Sequence, residues 1–158
     1  MIRGIHHVSI TVQDMDRMLA FYRDVLGFPE IMRSSWADSD DMDRLVDLKG
    51  SQANVVLLNA GNMVLELFDY RAPSGIHDPR RPVNNPGYTH ICLDVEDIET
   101  EYRRLESAGM TFNRSIMDVE ELGLRAVYGR DPEGNVIEVQ EIFDDANDLA
   151  LHPQLRTV

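Results

Sequence analysis

Residues 6–28, HHVSITVQDMDRMLAFYRDVLGF, and residues 89–110, THICLDVEDIETEYRRLESAGM, follow one plan twice. Each opens on a histidine-led strand, reaches an aspartate suited to cap a helix, continues through apolar residues at helical spacing and ends at a glycine where a helix can stop. The spacing agrees, since His7 to Asp14 and His90 to Asp97 are both seven residues. Strand signals follow each helix, at about 28–35, 53–59 and 62–70 in the first copy and about 111–117, 124–130 and 135–142 in the second. An internal repeat constrains the fold more than any single motif, because both copies must build the same supersecondary unit. The pattern predicts two βαβββ modules of α+β class, the first over about 1–70 and the second over about 88–142, inside a single domain of residues 1–142.

Between the modules, residues 71–87, RAPSGIHDPRRPVNNPG, concentrate proline, glycine and asparagine and read as a linker. Residues 36–52, WADSDDMDRLVDLKGSQ, are too polar for core and read as a long loop. Residues 143–158 are acidic and then polar and read as a tail or peripheral helix.

The net charge of −13 argues against nucleic acid and anionic membrane as partners, which need surplus Lys and Arg. Arg80 and Arg81 lie in the linker and read as a solvated pair rather than an anion site. No stretch approaches the roughly 20 apolar residues of a membrane span, and the N-terminus reads as a strand rather than a signal peptide. The single cysteine, Cys92, excludes an internal disulfide and fits a reducing, cytoplasmic setting.

Strand parity selects candidate ligands. Side chains alternate between faces, so Val8, Ile10 and Val12 share an apolar face while His7, Ser9 and Thr11 lie opposite. In the second copy Ile91, Leu93 and Val95 oppose His90, Cys92 and Asp94. The carboxylates follow the same test: Glu66 opposes Leu65 and Leu67, and Glu138 opposes Ile137 and Val139. Each glutamate sits in an apolar run just after a Gly-Asn pair, where a lone carboxylate is costly to bury and a cation relieves the cost. Two imidazoles and two carboxylates suit a divalent ion such as Zn, Ni, Co, Fe or Mn. The candidate metal ligands are therefore His7, Glu66, His90 and Glu138. His6, on the apolar side by parity, His77 in the linker and His152 in the tail read as structural, and Cys92 as a small core residue.

At these residues the sequence resembles the vicinal oxygen chelate superfamily, the glyoxalase, bleomycin-resistance and extradiol dioxygenase group. The matching pieces are HHVSITVQDMDRMLAFYRDVLGF, NMVLELF, GYTHICLDVEDI and GRDPEGNVIEVQE, which together span almost all of residues 5–141. The resemblance implies paired βαβββ modules in a cupped, incomplete mixed β-barrel around the metal, and assembly as homodimers. It places His7, Glu66, His90 and Glu138 on the ligand positions. The implied chemistry is chelation of a small-molecule substrate through adjacent oxygens on a Lewis-acid metal.

Three functions are open on that scaffold. The first is a glyoxalase-like lyase, isomerase or epimerase, in which a divalent metal stabilises an enediolate or oxyanion during proton transfer next to a carbonyl. Glu138 is then the first candidate base and Glu66 the second. The second is an extradiol-type dioxygenase acting on a catechol, with His7, His90 and Glu138 as a facial triad, Glu66 surplus and Tyr128 a candidate tyrosine. The third is a non-catalytic drug-binding resistance protein, against which retention of four ligand positions argues. Trp36, Arg33, Phe68, Arg125 and Tyr128 are candidates to line the site.

Overall fold

The computed structural model describes residues 1–144 and 146–151, and places them in two compact units, one of Met1–His77 and one beginning at Asp78. The fold is mixed α+β, with one sheet in each unit.

In the first unit β1 (His7–Thr11) leads through α1 (Met15–Leu19) to β2 (Glu30–Trp36), α2 (Asp40–Val46), β3 (Gln52–Asn59) and β4 (Val64–Ala72). The sheet order is β1-β4-β3-β2, with β1 and β4 parallel and the other pairs antiparallel. The Asp14 carboxylate accepts the Arg17 N–H at 3.0 Å and caps α1 as expected. The helix is α-helical only to Leu19, and Ala20–Val25 continue as a π-helical stretch. There Leu26 N–H donates to the Phe21 carbonyl, five residues back. Gly27, at φ +79, then reverses the chain where the sequence places a stop. Met18, Leu19, Phe21 and Tyr22 are buried, as are Val56, Leu58, Leu65 and Leu67 of the sheet. Full burial of each such side chain stabilises by about 1.5–3 kcal/mol.

The second unit repeats the plan. β5 (His90–Asp94) leads through α3 (Ile98–Ser107) to β6 (Thr111–Phe112), β7 (Met117–Val119), a 3₁₀ turn at Glu120–Leu122, β8 (Leu124–Arg130) and β9 (Val136–Ile142). The order is β5-β9-β8-β6, with β7 also paired to β8 and β5 parallel to β9. Asp97, at φ +55, caps α3 by accepting the Thr100 N–H. The Glu141 carboxylate takes the Asp97 and Ile98 N–H groups at 2.9 and 3.3 Å, tying β9 to the start of α3. Ile98, Leu105, Met110, Ile137 and Val139 form its core.

Several expectations are corrected. The polar segment 36–52 is not one long loop, since it contains α2. That helix fully buries none of its residues, its apolar stripe is only Met42, Leu45 and Val46, and it is specified chiefly at its ends. Ser39 caps it, three aspartates lie in its first turn, and Asp47 closes it in the left-handed region at φ +53. The strand expected over 111–117 is two short strands, β6 and β7, separated by Asn113–Ile116. The linker begins later than expected, because Arg71 and Ala72 belong to β4. β1 begins at His7, and His6 lies before it, exposed rather than on the apolar side. Cys92 is exposed rather than core. His152 lies outside the described residues. Of the tail, the described residues beyond β9 form turns. Among the described residues no helix is long and apolar enough to cross a membrane.

Asp43 ties α2 to the sheet. Its carboxylate accepts Ser51 N–H and Ser51 O–H at 2.7 Å each, together with Gly50 N–H, while Trp36 Nε1 donates to Ser51 Oγ at 2.9 Å. The Ser51 hydroxyl bond first, then the backbone bond from Gly50, hold the Asp43 carboxyl below its ordinary value. A carboxylate lowered on folding stabilises the protein above its unfolded pKa of about 3.9, and that stabilisation is lost as pH falls through the lower folded value. Asp43→Asn should therefore lower the thermal unfolding temperature at pH 7, and the two proteins should converge in acid. A difference that persists unchanged in acid would contradict this role.

Candidate metal centre

The two units place their candidate ligands in the same register. Where β1 runs parallel to β4, His7 lies opposite Val64 and Ser9 opposite Glu66. Where β5 runs parallel to β9, His90 lies opposite Val136 and Cys92 opposite Glu138. Each glutamate is thus two residues along from the partner of its histidine, close enough for their side chains to meet. His7 Nε2 lies 3.6 Å from Glu66 Oε2, and His90 Nε2 lies 3.2 Å from Glu138 Oε2. The histidines keep solvent access, at 46 % and 31 % side-chain exposure, while the carboxylates are more enclosed at 15 % and 18 %. Along β1 and β5 the exposed residues alternate with more enclosed ones, as parity requires.

The structure therefore arranges the predicted ligands as two His–Glu pairs, one in each unit. Among the described residues it gathers no group of three or more His, Cys, Asp or Glu able to hold a metal ion. Two donors bound to one ion at about 2.0–2.1 Å stand about 2.8–3.4 Å apart along an octahedral or tetrahedral edge. The His90–Glu138 pair, at 3.2 Å, already falls in that range, and the His7–Glu66 pair, at 3.6 Å, must close by a few tenths of an ångström to enter it. One imidazole and one carboxylate per pair is also the mixed donor set such ions accept.

The pairs differ in their surroundings. Glu138 lies opposite Tyr128 across β8, and the Tyr128 hydroxyl donates to Glu138 Oε2 at 2.8 Å. The Tyr128 ring meets His90 edge-on with centroids 5.1 Å apart. Glu66 lies opposite Leu57 on one side and Ser9 on the other, and among the described residues no hydroxyl hydrogen bond to its carboxylate matches that of Tyr128 to Glu138. Burial first, then the bond to Glu138, pushes the Tyr128 phenol up to about 12, so it remains a donor at neutral pH. The Cys92 thiol is likewise raised to about 12, first by the atoms packed around its sulfur and then by the nearby Glu138 and Asp94 carboxylates, and so stays uncharged.

Of the other side chains expected at the site, Phe68 lies on the Glu66 face and stacks on Tyr70 at 5.4 Å, with Trp36 edge-on to both. Arg33 is paired with Glu30 at 2.8 Å, and Arg125 with Glu99 and Asp118 at 2.6 and 2.9 Å. Arg81 is exposed and donates to the Pro86 carbonyl, while His6 Nδ1 lies 2.9 Å from His7 Nδ1. The Glu138 face also carries a cavity of about 580 Å³, lined among others by Met117, Leu122 and Leu149, which the sequence reading did not single out. Its walls come from β7, the 3₁₀ turn and the turns after β9, segments with no periodic signal to reveal them.

The family described as Glyoxalase/Bleomycin resistance protein/Dioxygenase superfamily matches residues 4–139. A 2-epi-5-epi-valiolone epimerase from Actinomyces sp. is 32 % identical over 147 residues, covering 86 % of this chain and 78 % of the relative. The mitochondrial methylmalonyl-CoA epimerase of Mus musculus is 25 % identical over 146 residues, covering 87 % of this chain and 72 % of the relative. Among solved structures, a glyoxalase family protein from Bacillus cereus aligns with a TM-score of 0.79 at 26 % identity, covering 89 % of this chain and 95 % of that one.

Proposed function

The chain belongs to the Glyoxalase/Bleomycin resistance protein/Dioxygenase superfamily, and from that premise we propose that it is a metal-dependent enzyme that moves a proton at a carbon next to a carbonyl, as an epimerase, isomerase or glyoxalase-type lyase does. The observation that carries this reading is the twin His–Glu pair, held in one register by two parallel strand pairs. The two relatives named as epimerases support the proton-transfer class.

In this proposal His7, Glu66, His90 and Glu138 would hold one divalent ion, such as Zn, Ni, Co, Fe or Mn. When bound, that ion supplies Lewis-acid stabilisation of the oxygen that becomes anionic as the proton leaves carbon. The chain's own groups divide the remaining work. Tyr128 holds Glu138 through a 2.8 Å hydrogen bond, which fixes that carboxylate as the anchored ligand. Glu66, whose polar neighbour is His7 at 3.6 Å, is freer to turn away and accept the proton from carbon. This reverses the order suggested by sequence, where Glu138 stood first. Return of the proton by Glu66 to the neighbouring carbon gives isomerisation, and epimerisation needs a second group to deliver a proton to the opposite face of the same carbon. Assembly as a homodimer belongs to the same proposal.

The test is deuterium wash-in followed by NMR, using metal-loaded protein in D₂O with an acyl-CoA thioester bearing an α-stereocentre and with a hemithioacetal. Exchange at the carbon beside the carbonyl is the expected result, and its absence with both substrates contradicts the reading. The position of Tyr128 against His90 and Glu138 favours the dioxygenase as the second reading. Oxygen uptake with a catechol would promote it.

Tyr128→Phe removes the donor and keeps the ring. Metal affinity, measured by calorimetric titration, should fall about 10- to 100-fold, with little change in thermal unfolding. An unchanged affinity would remove Tyr128 from the site.

A further inference from the structure

The cavity of the second unit lies on the face of the sheet that carries Glu138. Across that face Met117 pairs with Ala126, Ala126 with Gln140, and Tyr128 with Glu138. The cavity therefore runs from the Tyr128–Glu138 end toward the aliphatic side chains of β7 and the turns beyond it. Its volume of about 580 Å³ falls within the range of small-molecule sites. Met117, Leu122 and Leu149 along it are each about half exposed, at 51 %, 50 % and 53 %. Aliphatic surface left open beside a polar centre is costly unless something covers it.

The wall bearing Leu149 is held in place. Asn147 Nδ2 donates to the Leu122 carbonyl at 2.7 Å, and Asn147 Oδ1 accepts the Leu149 N–H at 2.9 Å. Gly123 permits this approach, since a Cβ there would press on Asn147 Nδ2 at 3.1 Å in a backbone already at φ +65. Among the described residues the only cationic side chain lining the cavity is Arg114. Asn113, Ser115, Tyr128 and Gln140 also offer donors in its wall, while Met117, Leu122 and Leu149 give an aliphatic stretch from which a hydrocarbon chain would displace water.

We propose that this cavity receives an acyl or alkyl chain attached to the reacting carbonyl, so that the substrate is an aliphatic acyl compound whose carbonyl end lies at Glu138. The assignment rests on the proton-transfer reading of that centre, and it adds the chemical class of the substrate. The turns after β9 are then part of the binding site, with Leu149 in the wall.

The test titrates S-acyl-N-acetylcysteamine thioesters, from acetyl to octanoyl, into the metal-free and the metal-loaded protein by calorimetry. Affinity should rise about three- to fourfold per added methylene until the cavity is full, in both forms. Ala126→Phe, which fills the cavity beside Met117, should flatten that rise, and Leu149→Ala should weaken it. A flat response in the unsubstituted protein overturns the proposal whether or not the variants fold. An unchanged slope in folded Ala126→Phe overturns it as well. If Leu149→Asp alters the oligomeric state and leaves the slope intact, the patch belongs to a second copy of the chain and the proposal falls. Failure of the parent reading is distinguishable. A chain-length slope without deuterium exchange on any thioester keeps the ligand class and removes the proton transfer. Exchange without a slope does the reverse.

Discussion

Glu66→Gln should reduce the rate of deuterium exchange beside the substrate carbonyl by about 10²- to 10⁴-fold, the usual contribution of a positioned general base. The substitution keeps the size of the side chain and its capacity to hydrogen-bond, and removes the proton acceptor. The residue lies mid-strand on the face opposite Leu65 and Leu67, so the core does not depend on its charge. Thermal unfolding should accordingly shift little. The same substitution separates the two enzymatic readings. A dioxygenase built on His7, His90 and Glu138 uses Glu66 for nothing and would keep its oxygen uptake. Exchange within tenfold of the unsubstituted rate would show that Glu66 is not the base.

Gly134→Ala should be among the most destabilising single changes in the chain. Gly134 sits at φ +91 in the turn joining β8 to β9, a backbone region that costs an L-residue about 1–2 kcal/mol. An added Cβ would also meet the Pro79 backbone, with the carbonyl oxygen nearest and Cα at 2.6 Å. Backbone cannot rotate aside as a side chain can, and overpacking of this kind costs about 1–3 kcal/mol more. The expected loss is therefore about 2–5 kcal/mol, read from urea unfolding. The turn is fastened on both sides. The Asp131 carboxylate accepts the N–H groups of Glu133 and Asn135 at 2.9 Å and Asn135 Nδ2 at 2.8 Å, and Arg130 donates to the Gly134 carbonyl at 2.6 Å. This turn starts the strand that delivers Glu138, so metal affinity should fall with stability. A variant with unchanged unfolding would mean that the 79–81 segment yields easily.

The residues that were legible in the sequence are those whose position is fixed by period. Alternation along β1 and β5 separated His7 and His90 from the core faces, and alternation along β4 and β9 did the same for Glu66 and Glu138. Asp14 and Asp97 announced their helices because a cap leaves a local signature. Where the structure departs from the sequence reading, the periodic signal is weak or too short. α2 is seven residues long with only Met42, Leu45 and Val46 at helical spacing among many charges, so it reads as loop although Ser39 and the aspartates are capping signals. β6 and β7 are two and three residues long, below the length at which alternation can be read. The pairing of Tyr128 with Glu138 depends on the register between β8 and β9, and Leu149 beside Leu122 depends on a turn that packs back on its own sheet. Both are tertiary facts with no local trace.

The central claim is that the two His–Glu pairs serve one metal. The most direct measurement is calorimetric titration of Co²⁺ or Ni²⁺ into metal-free protein, repeated on His7→Ala and on His90→Ala. A single ion per chain and loss of binding in both variants are the expected results. Two ions per chain, or binding that survives either substitution, would contradict the claim.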